Sequence, residues 1–137
     1  MATTAGTVAR RWFEEVWNAR RAEAIDELLA PDAVTHMEGG DVHGPAAFRE
    51  VHAMFLNALP DVYITVEDVI SDGDHAVVRW RVNATHKGEL FGVAATNAPV
   101  AFRGMSWAVV KDGKVVEGFD TWNLGGVLDS LRSAARS

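Results

Sequence analysis

The chain has 137 residues, 48% of them hydrophobic and 23% charged, which is the balance of one globular domain with a sizeable core. A formal net charge of −6 argues against nucleic acid and anionic membranes as partners, since both require a basic surface. The absence of cysteine excludes disulfides, thiolate nucleophiles and cysteine-ligated metals. No apolar stretch approaches a membrane span or the core of a signal peptide, so we expect a cytoplasmic protein.

The first half of the chain shows apolar side chains at helical spacing in three segments, with a short strand before the third. Pro60 ends the third helix, because proline cannot continue a helical hydrogen-bond pattern. The predicted helices are residues 7–21, 22–30 and 45–60, and the strand with its turn is residues 33–44.

The second half alternates as strands, with a hairpin turn at residues 71–74 and another at Asp112-Gly113. A loop over residues 88–99 separates the two hairpins, and a last helix starts at residue 124. This order predicts a single α+β domain over residues 1–137, with helices on one side of a curved sheet. The open end of such a sheet forms a pocket for a small molecule.

The segment VVEGFDTWN, residues 115–123, places Asp120 on the same face of a strand as Trp122. If that face looks towards the helices, the carboxyl lies in an apolar cavity and its pKa is raised. Such a group is suited to general acid–base catalysis near neutral pH. The alternative is that Asp120 caps the helix that follows.

Three further polar residues are candidates for the pocket. His36, on the short strand, either points inward or has a structural role. Ser106 shares a strand face with Gly104, which either makes room for a neighbouring group or marks a bulge. His86 ends the apolar face of its strand, either at the cavity mouth or on the surface.

The five histidines form no metal-binding pair such as HxH or HExxH, and no glycine-rich phosphate loop is present. We therefore expect neither a metal nor a nucleotide. Arg79, Arg81 and Arg103 fall on the opposite face of the sheet, a pattern typical of an outer face that packs against a second subunit.

Residues 13–37 (FEEVWNARRAEAIDELLAPDAVTHM) and 84–123 resemble the SnoaL-like polyketide cyclases. The second segment carries THKGELFG, FRGM, the turn DGK and a strand ending in FDTW. This family belongs to the cone-shaped α+β barrels shared by nuclear transport factor and ketosteroid isomerase. The resemblance implies a curved, mostly antiparallel sheet with three N-terminal helices over its concave face and a short C-terminal helix.

In the cyclases, the aspartate matching Asp120 is the general acid/base of an intramolecular aldol ring closure that uses no cofactor. Relatives often carry His or Asp where this chain has Ser106, and the loop AATNAP replaces their Pro-Pro-Thr-Gly, so the pocket rim differs. His36 falls where relatives carry a polar pocket residue. The resemblance thus implies catalytic roles for Asp120 and His36.

We expect a cofactor-independent enzyme of antibiotic biosynthesis that acts on a hydrophobic, carbonyl-containing, polyketide-like molecule, and a homodimer joined through the outer sheet face. The expected substrate contacts are Ser106, Trp12, Trp80, His86, Phe102 and Trp122. The alternatives are a non-catalytic binder of an apolar molecule, an epoxide hydrolase and an isomerase. An epoxide hydrolase of this fold requires an Asp-Arg-Asp cluster, which the segment Arg79-Trp80-Arg81 does not supply. An isomerase of this fold requires a tyrosine on the first helix, whereas the tyrosine of this chain, Tyr63, lies at the start of a strand.

Overall fold

The computed structural model describes residues 4–136, in which six strands form one curved sheet in the order β2-β1-β6-β5-β4-β3. Neighbouring strands are antiparallel except β1 and β6, which run parallel. The strands are β1 (Leu29–Met37), β2 (Gly40–His43), β3 (Tyr63–Asp72), β4 (His75–Thr85), β5 (Pro99–Lys111) and β6 (Lys114–Trp122).

Helices cover the concave face of this sheet and close its core. They are α1 (Ala5–Arg11), α2 (Glu23–Leu28), α3 (Gly44–Ala58) and α4 (Leu124–Ala135). The core forms where the apolar stripes of the first three helices meet inward-facing strand residues such as Val78 and Val82. The predicted α+β cone is confirmed. Of the helices within residues 4–136, none is long and apolar enough to cross a membrane.

The first helix does not stay α-helical to its end, because α1 runs directly into a π-helical segment, Trp12–Asn18. The wider turn is held by the bond from the Ala19 amide to the Glu14 carbonyl at 2.9 Å. His52 on α3 fixes it from the other side, with Nε2 lying 2.7 Å from the Val16 carbonyl oxygen. Apolar spacing alone does not distinguish a π segment from an α-helix, and such segments are frequent at functional sites.

A β-bulge in the β5–β6 hairpin sets which side chains of β6 point inward. The turn Asp112-Gly113 has positive φ angles of 53° and 78°, as a two-residue type I′ hairpin requires. Val110 pairs with Val115, but Val109 pairs with Glu117, so Val116 is an extra residue on β6. Uninterrupted alternation would put Val116 on the same face as Asp120, but Val115 faces the core instead. Even-numbered positions of β6 point inward only beyond the bulge.

Asn18 joins the π segment to the edge strand β3. Its side-chain amide donates to the Ile64 carbonyl and accepts from the Ile64 amide, both at 2.7 Å. The amide side chain thereby satisfies one donor and one acceptor of an otherwise unpaired strand edge. This contact holds the Trp12–Asn18 segment against the sheet.

We expect Asn18→Ala to lower the free energy of unfolding by about 1–3 kcal/mol, because both backbone groups of Ile64 lose a part-buried partner. The measurement is urea unfolding followed by circular dichroism. Asn57→Ala, at an exposed position of α3, is the matched control. Equal losses of unfolding free energy in the two variants would show that the Asn18 hydrogen bonds do not stabilise the fold.

Candidate active site

Asp120 faces the concave side of the sheet, towards the helices. It lies directly opposite Ser106 on β5, and Trp122 is opposite Gly104. The alternative role of Asp120 as a helix cap is not supported, because Asn123 caps α4 by accepting from the Gly126 amide at 2.8 Å. Of the two strand faces that the alternation defines, the one with Asp120 and Trp122 is therefore the face that meets the cavity.

The cavity beside Asp120, here called the front cavity, is walled by aromatic and aliphatic side chains. Its empty space amounts to about 590 Å³, including the part open to solvent. Ser106 and Asp120 are the only residues in its lining with hydroxyl or carboxyl groups. The lining comprises Trp12, Phe13, Trp17, Met37, Phe48, Phe55, Leu59, Val62, Ile64, Trp80, Val82, Phe102, Ser106, Asp120 and Trp122.

The aromatic walls are mutually packed. Phe102 and Trp122 stack with ring centroids 4.6 Å apart, and Trp12 and Phe48 pack edge to face with ring centroids 4.8 Å apart. The sequence analysis named Trp12, Trp80, Phe102 and Trp122 as substrate contacts, and the structure brings all four together around the front cavity. The structure adds Trp17, Phe48 and Phe55 to the cavity wall. Their spacing along the helices shows that they face inward, but spacing alone does not distinguish the wall of a cavity from a filled core.

A short hydrogen-bond chain leads to the carboxyl group. The Trp80 indole N–H donates to Ser106 Oγ at 2.9 Å, and Ser106 Oγ donates to Asp120 Oδ1 at 2.5 Å. Because the indole is only a donor, it directs the Ser106 hydroxyl proton towards the carboxylate. Oδ2 of Asp120 has no hydrogen bond to any residue from 4 to 136.

Gly104 provides the space for this chain. A Cβ at that position would lie 2.5 Å from two ring carbons of Trp80 and 2.5 Å from the Thr121 carbonyl oxygen. Gly104 was expected either to make room for a neighbouring group or to mark a bulge. The structure shows the first of these roles, and the neighbouring group is the Trp80 ring.

Burial raises the pKa of the Asp120 carboxyl to about 6. Loss of hydration in the apolar cone is the main cause, the hydrogen bond from Ser106 lowers the pKa, and the negative charge of Glu38 raises it. The Asp120 side chain is half-buried and borders the front cavity. It therefore changes protonation state within about one unit of neutral pH.

The inward orientation considered for His36 is wrong. β1 pairs in parallel with β6 so that His36 is opposite Phe119, on the outer face of the sheet. The imidazole lies 2.8 Å from the carboxylates of both Asp41 and Glu117 and stacks on Phe119. These two carboxylates raise the pKa of His36. Thr35, its neighbour, is the residue that points inward.

His86 is on neither the surface nor the lining of the front cavity. Its side chain is fully buried beneath the loop before β5, with Nδ1 2.9 Å from Thr96 Oγ1. The loop returns over the strand end through the bonds between His86 and residues 97 and 98. The expected substrate contact through His86 is not supported by this placement. In the region from residue 4 to residue 136, no group of three or more His, Asp or Glu side chains is arranged to hold a metal ion.

We expect Asp120→Asn to remove a pH-dependent loss of stability. The pKa of Asp120 in the folded state, about 6, exceeds the value of about 3.9 in unfolded chains, so the folded state binds more protons between these pH values. Stability therefore falls as pH rises from about 4 through 6, by up to about 3 kcal/mol.

The measurement is the free energy of unfolding in urea from pH 4 to pH 8. Asp120→Asn should be the more stable protein above pH 6 and comparable to the unsubstituted protein near pH 4. Asp32→Asn, at an exposed position of β1, should follow the unsubstituted protein. A parallel pH dependence of the Asp120→Asn and unsubstituted proteins would mean that this carboxyl is not the buried acid.

Solved structures similar to this chain share its fold. IdmH, a candidate polyketide cyclase from Streptomyces antibioticus, is 27% identical with a TM-score of 0.81, covering 95% of this chain and 99% of that one. AclR, a candidate hydroxylase from Streptomyces galilaeus, is 28% identical with a TM-score of 0.82, covering 94% and 81%. A candidate SnoaL-like polyketide cyclase from Jannaschia sp. CCS1, at 22% identity and a TM-score of 0.86, covers 93% and 90% and supports the fold alone.

No curated protein matches the chain. The sequence model of the SnoaL-like polyketide cyclases matches residues 7–131, which run from within α1 through β6 and include most of α4. The chain belongs to the SnoaL-like polyketide cyclase family.

Proposed function

We propose that this protein is a cofactor-independent cyclase that closes a ring in a polyketide-like molecule by an intramolecular aldol reaction, with Asp120 as general acid/base. The observation that carries the proposal is a single carboxyl group, with a pKa of about 6, in the wall of a cavity whose other lining residues, apart from Ser106, are aromatic or apolar. The family membership and the likeness to IdmH support a cyclase-type activity.

The reaction needs one group that first removes and then returns a proton. Ionised Asp120 takes a proton from a carbon next to a substrate carbonyl, and the resulting enolate attacks a second carbonyl carbon of the same molecule. The new carbon–carbon bond leaves an alkoxide, which takes the proton back from Asp120 and becomes a hydroxyl group. The carboxyl ends ionised, so the cycle balances without a metal or an organic cofactor.

The surroundings of Asp120 suit both halves of this cycle. With a pKa of about 6, most of the carboxyl is ionised at pH 7 and is still basic enough to take a proton. Ser106 donates to Oδ1, so Oδ2 remains available to take and return the proton. Stacked aromatic walls bind flat, apolar rings and exclude water, so they place the reacting carbons near Oδ2.

Asp120→Asn is expected to lower kcat by ~10²–10⁴-fold while leaving substrate affinity nearly unchanged, because the amide keeps the shape and loses the base. The assay measures turnover of a polycyclic aromatic compound that carries a ketone and an activated methylene group, and calorimetry measures its binding. Ser106→Ala is the companion variant. It should retain more activity and shift the acidic limb of the pH–rate profile upward, because Ser106 lowers the pKa of Asp120.

Undiminished turnover in Asp120→Asn would refute the acid/base role. Binding without turnover in the unsubstituted protein, with a range of such compounds, would favour the alternative of a non-catalytic binder. The epoxide hydrolase alternative gains no support from the cavity, since its lining includes no arginine.

We propose further that the protein is a homodimer joined through the outer face of the sheet. Met105, Trp107 and Phe119 lie on that face with between 42% and 50% of each residue exposed. Arg81 and Arg103 are direct cross-strand neighbours, and neither has an ion-pair partner within residues 4–136. A second copy of this acidic chain can cover the apolar patch and supply carboxylates to the two arginines.

Met105→Glu should convert the dimer into a monomer, because it places a charge within the apolar patch. Sedimentation velocity gives the mass of each species, and circular dichroism shows whether the fold is retained. Met54→Glu, on the exposed side of α3, is the matched control and should stay dimeric. A monomeric unsubstituted protein, or a dimeric Met105→Glu, would exclude this interface.

A further inference from the structure

Asp120 and Ser106 border a second, smaller space on the side away from the cavity mouth, which we call the rear chamber. Its empty space is about 420 Å³, including the part open to solvent. Its lining comprises Ala9, Trp12, Phe13, Leu29, Thr35, Val78, Ser106, Trp107, Ala108, Val115, Gly118 and Asp120.

The register of the sheet shows how the two spaces are arranged. Each of four strands contributes one residue to the front cavity and another, two positions away along the same strand, to the rear chamber. These pairs are Met37 and Thr35 on β1, Asp120 and Gly118 on β6, Ser106 and Ala108 on β5, and Trp80 and Val78 on β4. Since Ser106 and Asp120 are cross-strand partners and line both spaces, they form the partition between them.

Small residues keep the rear chamber open. Ala108 and Gly118 are directly opposite each other across β5 and β6, where two larger side chains would fill the space. A Cβ on Gly118 would meet only Thr35 Cγ2, at 3.7 Å, which is ordinary van der Waals contact. The glycine is therefore not required by a close approach of the backbone, and its effect is to leave volume in front of Thr35.

The rear chamber also holds polar groups without partners. Thr35 is 6% exposed, and its hydroxyl makes no hydrogen bond within residues 4–136. The hydroxyl oxygen is not completely enclosed by protein atoms, so it borders open space. Asp120 Oδ2 is likewise unpaired. Buried polar groups are nearly always hydrogen-bonded, to protein or to ordered water, and a polar, roomy space is where water binds.

We propose that the rear chamber is a binding site for water, held between the Thr35 hydroxyl and the Asp120 carboxyl, through which Asp120 exchanges its proton while an apolar molecule fills the front cavity. The catalytic meaning of this site rests on the proposed acid/base role of Asp120. The site itself does not, because it requires only the geometry of the partition.

Such a water has a definite chemical task. When the carboxyl is ionised, the water donates one hydrogen bond to it, and when the carboxyl is protonated, the water accepts one. A proton can then leave or reach Asp120 without passing the substrate, and no bond of the substrate is involved. Glu38, which directly follows β1, acts on Asp120 with a negative charge. With an apolar molecule in the front cavity, the Ser106 hydroxyl and this water are therefore the groups that solvate the carboxylate.

The test uses the unliganded protein and two substitutions in the chamber. Thr35→Val removes the hydroxyl at nearly constant volume, and Gly118→Ala adds a methyl group to the space. Thr121→Val, at an exposed position on the outer face of β6, is the matched control. Ordered water is located by high-resolution crystallography and by water–protein nuclear Overhauser effects, and the Asp120 titration is followed by ¹³C NMR.

We expect ordered water beside Thr35 and Asp120 in the unsubstituted protein and in Thr121→Val, and its loss in both chamber variants. The pKa of Asp120 should rise above about 6 in those two variants, because its carboxylate loses solvation. An unsubstituted protein without such water overturns the proposal, as does an unchanged pKa in either folded chamber variant. None of these readouts involves turnover, so failure here is distinguishable from failure of the proposed cyclase activity.

Discussion

The site depends on the one-residue bulge at Val116. Because strand side chains alternate, an uninterrupted hairpin closed at Asp112-Gly113 would pair Ser106 with Phe119 and turn Asp120 to the outside. The extra residue shifts the pairing by one position, so that Ser106 meets Asp120 and both face the helices. The apolar walls, the rear chamber and the Trp80 hydrogen bond all act on the carboxyl only because this irregularity brings it inward.

Burying a carboxyl costs folding free energy, and the surrounding residues limit that cost without abolishing it. Ser106 supplies one hydrogen bond, and its own orientation is fixed by Trp80, which fits only because position 104 is glycine. A fuller set of donors would keep the carboxyl ionised well below pH 6 and make it a weak base. The incomplete hydrogen bonding therefore keeps the carboxylate more basic and lowers the stability of the fold.

The sequence was sufficient for the fold class and the cone architecture, since these follow from the order of elements and from the family signature. The inward position of Asp120 was implied only by the family resemblance, because strand alternation left the face open and does not predict the bulge at Val116. It was insufficient for His36, because a parallel pairing between β1 and β6 joins segments far apart in the chain, and no local pattern fixes their register. The burial of His86 was not predicted because the loop that covers it has no regular pattern of apolar residues from which its position could be inferred. The rear chamber escaped notice for a related reason: small residues such as Gly118 leave space only in three dimensions.

Four of the five tryptophans, Trp12, Trp17, Trp80 and Trp122, line the front cavity, while Trp107 lies on the opposite face of the sheet. Indole fluorescence responds to the polarity and quenching properties of its immediate surroundings. We therefore expect the intrinsic emission of this protein to change when the cavity is filled, since four of its five indoles line the cavity. The aromatic lining that would bind a substrate also makes the protein a label-free sensor for identifying that substrate among candidate compounds.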